Sequence, residues 1–262
     1  MAIAETLIRS CVLVVAAHPD DETIGAGGLL GHLHDPYILH VTDGAPRNLE
    51  FARAAGFQTR AQYARARQEE LASALRLAGI SASRWLSLGI TDQTASLDLA
   101  GLVHRLLRLL RTIVPQAVLS HAYEGGHPDH DATAFAIHAA CRLLPSPPRI
   151  YEFTSYHAAR PPLAMESGRF LVGQETGEIT ALDESDQRRK SAMLACFRSQ
   201  RAILRHFRCA EERFREAPTY DFAQPPHSGQ LFYETFPSNM SGACWLRLAA
   251  EALRQLEVPA LL

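Results

Sequence analysis

The chain has 262 residues, 47% hydrophobic and 21% charged, with 26 Lys and Arg against 28 Asp and Glu. That length and composition suit one large globular domain or two small ones and exclude a disordered or fibrous chain. A formal net charge of −2 and a pI near 6.6 give no electrostatic reason to bind nucleic acid or an anionic membrane.

The first 150 residues alternate between two periods. Short apolar runs at 11–17, 37–42, 84–88, 116–120 and 149–153 predict strands buried on both faces. Helical patterns fall between them at about 24–34, 59–78, 97–114 and 132–144. In the third of these, Leu99, Leu102, Leu106, Leu109 and Ile113 recur at helical spacing, with Arg105, Arg108 and Arg111 largely off that stripe. Strands alternating with helices predict an α/β fold, a mostly parallel sheet with helices on both faces. After about residue 154 the rhythm changes and proline and glycine become frequent, as in Gln224-Pro225-Pro226. Strands are expected at 170–172, 178–181 and 231–235, and helices at 184–207 and 242–256. No linker or repeat separates the two parts. We expect a single domain over 1–262, with a core at 1–154 and an elaboration at 155–262 that shapes the pocket.

Cys11, Cys141, Cys196, Cys209 and Cys244 include no CxxC, so a disulfide framework, a cysteine zinc finger and a thioredoxin motif all lack support. Scattered thiols of this kind are expected reduced, in a cytoplasmic protein. The apolar run after Arg9 leads straight into His18-Pro19-Asp20-Asp21-Glu22 and is read as a buried strand, not a signal peptide. No stretch approaches the ~20 apolar residues of a membrane span.

Two polar clusters fall at carboxyl ends of predicted strands, where open parallel sheets bind ligands. One is His18-Pro19-Asp20-Asp21-Glu22 after the first strand. The other, His127-Pro128-Asp129-His130-Asp131, follows the fourth strand after the loop 121–126. Imidazole and carboxylate are ligands that zinc accepts, and catalytic zinc sites use three protein ligands with one position left for water. His18 and Asp21 could face one ion with His130 as the third ligand, leaving Asp20 free to act on water; iron(II) accepts the same donors. Alternatively, Asp20, Asp21 or Thr23 simply caps the helix opening near Ile24.

Three other readings compete. Gly25-Ala26-Gly27-Gly28-Leu29-Leu30-Gly31 after a strand, with Asp43 ending the next, suggests an NAD(P)-dependent oxidoreductase. Leu30 stands where the third glycine belongs, and three carboxylates would crowd the pyrophosphate. His18-Pro19-Asp20 with a later histidine suggests a non-haem iron triad, against which the strand–helix alternation speaks. A non-catalytic carbohydrate-binding protein with a structural metal is the third.

Ala17-His18-Pro19-Asp20-Asp21-Glu22 and Gly126-His127-Pro128-Asp129-His130 resemble the paired signatures of the LmbE-like (PIG-L) zinc N-deacetylases. The similarity extends to Thr42-Asp43-Gly44, Arg67-Gln68-Glu69-Glu70-Leu71, Lys190 and Ser199-Gln200. It covers about the first 150 residues well. The resemblance implies a Rossmann-like fold, with His18, Asp21 and His130 holding zinc and Asp20 as general base toward a zinc-bound water. It gives protonated His127 the oxyanion or the leaving amine, makes Asp129 its orienting partner and Arg67 a substrate contact. The implied substrate is a small N-acetylated amino sugar or glycoside. Ala45 departs from the pattern where some sugar-specific members carry a glutamate. Tyr123, His157 and His227, in loops, are open between pocket and packing; Tyr123 is taken as a substrate contact. Trp85 and Trp245 suit either the core or the subunit contact of a homo-oligomer.

Overall fold

The structure, a computed structural model, describes residues 2–159, 164–171, 177–207, 209–237 and 240–262. Helix α1 (Ile3–Ile8) precedes four strand–helix units and a fifth strand: β1 (Val12–Ala16), α2 (Asp21–Leu30), β2 (Tyr37–Pro46), α3 (Leu49–Ala54), α4 (Arg60–Leu77), β3 (Trp85–Asp92), α5 (Leu99–Ile113), β4 (Ala117–His121), α6 (Pro128–Arg142) and β5 (Arg149–Phe153). Then come β6 (Tyr156–Ala158), β7 (Met165–Ser167), β8 (Glu178–Ala181), α7 (Glu184–Cys196), α8 (Arg201–Leu204), β9 (Glu211–Glu216) and α9 (Gly242–Leu256).

The main sheet runs β3-β2-β1-β4-β5-β9-β8. Its first five strands are parallel and the last two antiparallel; β6 and β7 form a separate hairpin. Alternate residues of each parallel strand face opposite layers. Leu13, Val15, Leu39, Val41 and Val118 pack under α5, α6 and α9. Val12, Val14, Ile38, Ala117 and Leu119 pack under α1, α2, α4 and α7. This is the expected α/β layering. The order reverses between β1 and β4, which places both polar clusters at the topological switch point.

Several elements differ from the sequence expectation. Helix α2 opens at Asp21, three residues early. The helix expected over 184–207 breaks at Phe197 (φ −82°, ψ 63°), because Ser199 N and Oγ both donate to Glu70 on α4 (2.9 and 2.6 Å) and pull the chain off the helix axis. The segment Phe232–Thr235, expected as a strand, is a 3-10 turn closed by Glu234 accepting from Leu231 N. Phe170 and Leu171 are not in a strand, and Val172 lies outside the described residues. β6, β7 and β9 were not expected.

The glycine run lies inside α2, not in a loop. A Cβ on Gly25 would collide with the Phe153 ring, and one on Gly28 would lie 2.5 Å from Leu182. These glycines let α2 lie close against β5 and the segment entering α7, which leaves no phosphate cradle. Asp43 is also engaged, accepting from Arg60 Nη1 (2.5 Å) and Ala45 N (3.0 Å). The dinucleotide reading therefore has no site in this fold.

Candidate metal centre

The turn after β1 is tightly braced. Asp20 holds φ +128° and ψ −26°, a conformation that costs about 1–3 kcal/mol in a non-glycine residue and persists only where surroundings over-determine it. Those surroundings are visible. Asp20 N donates to Glu22 Oε2 (3.1 Å), and Glu22 is itself held by Thr23 Oγ1 and by His40 Nε2 at 2.9 Å. Arg67 Nη2 donates to the Pro19 carbonyl (2.6 Å) and to Asp20 Oδ2 (3.3 Å). Gly44 (φ +65°) sits where a Cβ would press on Pro19 and Arg67, so Thr42-Asp43-Gly44 packs against the same turn. Although Asp20 occupies the N-cap position of α2, its side chain makes no capping bond. Helix capping thus leaves this carboxylate unexplained.

The two clusters meet. His18 Nδ1 lies 3.1 Å from Asp21 Oδ2 and 3.2 Å from His130 Nε2, and Asp21 Oδ1 lies 3.3 Å from His130 Nε2. All three residues are buried. Around an ion with bonds of about 2.0–2.1 Å, tetrahedral corners are about 3.4 Å apart. The two imidazoles and one carboxylate therefore fit a divalent cation in both spacing and chemistry. Among the described residues, three overlapping groupings of ligand atoms close enough to hold an ion surround this point: His18, His127 and His130; His18, Asp92, His127 and Asp129; and Asp21, His121 and His130.

Asp92 and His121 have no place in the sequence expectation. Asp92 ends β3, with Oδ1 3.1 Å from His18 Nε2. His121 ends β4; its Nε2 accepts from Ala17 N (3.0 Å), and its ring stacks on His130 with centroids 4.0 Å apart. Their positions at strand ends are the signal that could have found them.

Burial disfavours every charge in this centre. At His18 it is outweighed by Asp92, Asp129 and Asp21, which raise the imidazole well above its ordinary value. At Asp21 burial is likewise outweighed, by His130 and His121, and the carboxyl is held well below the usual range. Asp20 goes the other way: burial, helped by Asp21 and Glu22, lifts its carboxyl to about 8 against the pull of Arg67 and His18. Burial and His18 bring His127 down to about 3, and burial and His121 bring His130 down to about 3 against Asp21. His127 Nδ1 accepts from Asp129 N (3.1 Å), so the neutral ring carries its proton on Nε2.

Three expected roles change in this geometry. The Asp129 carboxylate does not hold the His127 ring. It accepts from Gln93 N (2.6 Å) and Ala95 N (3.0 Å) and lies 3.4 Å from His18 Nε2; the contact with His127 runs through the Asp129 backbone. Burial and His18 favour the neutral His127 ring, where the expectation has it protonated. Tyr123 is 2% exposed and packs against Tyr220, Phe222 and Trp245 with its hydroxyl donating to the Gln224 carbonyl, so it belongs to the core and not to the pocket. His157 is buried with both ring nitrogens on backbone carbonyls. His227 receives Gly229 N and stands away from the centre. Trp245 is core, donating to the Pro128 carbonyl.

A cavity of about 230 Å³ opens on the centre, lined at its inner end by His18, Asp20, Asp21, Arg67, Asp92 and His127. Glu152, at the end of β5, faces inward instead. It accepts from Arg215 Nε (2.6 Å) and from the Tyr220 hydroxyl (2.8 Å). Among the described residues no helix is long and apolar enough to cross a membrane.

The family described as PIG-L: GlcNAc-PI de-N-acetylase matches residues 13–141. A probable N-acetyl-alpha-D-glucosaminyl L-malate deacetylase 2 of Bacillus anthracis is 30% identical over 146 residues, covering 51% of this chain and 60% of that protein. The match thus spans about three fifths of the relative's own length. Among solved structures, N,N'-diacetylchitobiose deacetylase from Pyrococcus horikoshii superposes with a TM-score of 0.56 at 21% identity, over 80% of this chain and 85% of that one. The 4-carboxy-2-hydroxymuconate hydratase GalB from Pseudomonas putida does so with a TM-score of 0.55 at 19% identity, over 74% and 82%. At these identities the structural likenesses establish the fold, which serves a hydratase as well as a deacetylase. Both signatures, and every residue clustered around His18, lie inside residues 13–141, the segment of this chain that matches the PIG-L family.

Proposed function

We propose that this protein is a metal-dependent hydrolase that removes the acetyl group from the nitrogen of an N-acetylated amino sugar or glycoside. The observation that carries this reading is the convergence of His18 Nδ1, His130 Nε2 and the two Asp21 oxygens, with contacts of 3.1–3.3 Å, and the Asp20 carboxylate on its strained turn beside them. The family match and the deacetylase named among the relatives support the same chemistry.

In this reading His18 Nδ1, Asp21 and His130 Nε2 hold the cation, zinc or iron(II). Such an ion lowers the pKa of water toward neutrality and polarises an amide carbonyl. A cation held here would take over the charge-balancing role that the carboxylates around His18 otherwise assign to its imidazole. Asp20, fixed by Arg67 and its own backbone, accepts the proton of the attacking water; its carboxyl, lifted to about 8 by burial, would stay ionised beside a bound cation. His127 presents Nε2–H to the oxygen of the former carbonyl, a preorganised donor of the kind worth about 3–4 kcal/mol. The proton held by Asp20 passes to the nitrogen, the C–N bond breaks, and the remaining proton of the former water ends on the amine, so that acetate and an ammonium group leave. Atoms balance as amide plus water.

The test pairs metal content with acetate release from N-acetylglucosaminides. About one zinc or iron per chain is expected, lost in His130→Ala. Asp20→Asn is expected to keep its metal and lose 10²–10⁴-fold in kcat, as for a general base. A protein that takes up no cation when zinc is supplied, or an Asp20→Asn variant with full turnover, overturns the reading.

A further inference from the structure

The cavity over the centre, about 230 Å³, is smaller than the roughly 300–1,000 Å³ of pockets that enclose a drug-sized ligand; it has room for one sugar ring and its acetamide. It does not end there. Tyr156 and Ile203 line both this cavity and a second hollow of about 530 Å³, whose other walls include Met165, Ala202 and Phe232. Among the described residues, the polar side chains lining that hollow are Ser167, His206 and the hydroxyl of Tyr156. Ser167 Oγ donates to the His206 carbonyl (3.2 Å).

Charge is distributed unevenly along this path. The charged groups of the inner cavity gather at the metal end, and Arg67, the one guanidinium among its described lining residues, is occupied by Pro19 and Asp20. Toward the mouth the walls are Phe51, Ile203, Leu204, Phe207 and Phe236. Arg201 and Arg205 neighbour the second hollow in sequence but line neither space, and the Arg205 guanidinium is engaged by the His206 ring, its Nε 3.3 Å from Nε2. Ile203 is 51% exposed at the junction of the two, an aliphatic surface that a bound apolar group would cover.

We infer that the second hollow is the aglycone site, and that it takes an aryl or alkyl group and not a dicarboxylate. The inference rests on the N-deacetylase reading for the sugar end. A carboxylate seated here would shed water with no lysine or arginine among the described lining residues to pair with it. An apolar group would gain from the same burial, and Met165 beside two aromatic rings can adapt to its shape.

The experiment measures kcat/KM for acetate release by the metal-loaded enzyme from a hexyl or phenyl N-acetylglucosaminide and from one with a malate aglycone. The apolar glycoside is expected to win by tenfold or more, mostly through KM, and Met165→Glu to cut that ratio at least tenfold. A second measurement does not depend on turnover: calorimetric titration with hexyl glucoside, which has no acetamide. Binding with a negative heat-capacity change, weakened tenfold in Met165→Glu, is expected. Absence of that binding, or a malate glycoside turned over as well as the apolar one, overturns the aglycone assignment and leaves the deacetylase reading standing. Binding of hexyl glucoside without cleavage of any N-acetylglucosaminide upholds the apolar site and removes the deacetylase reading.

Discussion

Arg67 grips the turn that carries Asp20 at two points: its Nη2 lies 2.6 Å from the Pro19 carbonyl oxygen and 3.3 Å from Asp20 Oδ2. One guanidinium therefore fixes both the backbone and the carboxylate of a residue held at φ +128°. Both contacts come from one nitrogen, which the planar guanidinium holds in place; a lysine would have to bring its ammonium to the same point on a flexible stem. We predict that Arg67→Ala lowers kcat about 10²-fold, the scale of a misplaced reacting group, and that Arg67→Lys recovers only part of it. Metal content should stay near wild type in both, since Arg67 touches none of the three donor residues. Loss of metal together with turnover would show that Arg67 supports the cation site and not Asp20.

Helix α2 must lie close to the sheet to aim Asp20 and Asp21 at α6. Gly25 meets the Phe153 ring and Gly28 meets Leu182. Overpacking of this kind costs typically 1–3 kcal/mol, which exceeds the propensity gain of about 1 kcal/mol from glycine to alanine within a helix. Gly25→Ala is accordingly expected to lower Tm and the denaturant midpoint, and Phe153→Leu to restore part of the loss. A Gly25→Ala protein as stable as wild type would mean that Phe153 moves aside freely.

The legible parts of this molecule are those whose physics is local. Strands β1, β2 and β4 are runs of apolar residues buried on both faces, and their helices carry apolar stripes, so the alternation and the sheet class follow from pattern alone. The two His/Asp clusters are legible because each is contiguous in sequence. Strand β9 hides because its sequence, Glu-Glu-Arg-Phe-Arg-Glu, is mostly charged; it is buried only because Glu212 meets Lys190 and Arg215 meets Glu152, partners 22 and 63 residues away. Asp92, a lone carboxylate, has no neighbouring motif, and its place beside His18 comes from the strand order. Tyr123 was misplaced for the converse reason: a loop near the site in sequence turns its aromatic ring inward, onto Trp245 and Phe222.

The Lys190–Glu212 pair is wholly buried. Lys190 Nζ lies 2.8 Å from Glu212 Oε1, and the same carboxylate accepts Gly28 N (2.7 Å) and Leu29 N (3.0 Å). It ties α7, β9 and α2 together through one acceptor. Removing one partner of a buried pair leaves an uncompensated charge and costs about 3–5 kcal/mol. Lys190→Met should therefore be strongly destabilised in urea titrations. Lys190→Met combined with Glu212→Gln should recover part of that loss, because a neutral amide oxygen can still accept the α2 amides. A double variant no more stable than Lys190→Met would show that the charge on Glu212 is needed by α2 itself.

His138 gives the folded state its own dependence on pH. It lies on α6 eight residues beyond His130, is 6% exposed, bonds to the Leu262 backbone and packs against the rings of Tyr220 and Phe222, with Nε2 unpartnered among the described residues. Burial lowers its imidazole from 6.5 to about 4. Between those values the unfolded chain binds the proton and the folded one does not, so stability rises with pH across this window. The contribution is complete above pH 6.5 and is lost as pH falls toward 4, amounting to something on the order of 3 kcal/mol. In His138→Leu the difference in unfolding free energy between pH 7 and pH 4.5 should shrink by most of that amount, whatever the variant's stability at pH 7. Parallel pH profiles for the two proteins would mean that the imidazole is already protonated in the fold, or reaches water without unfolding.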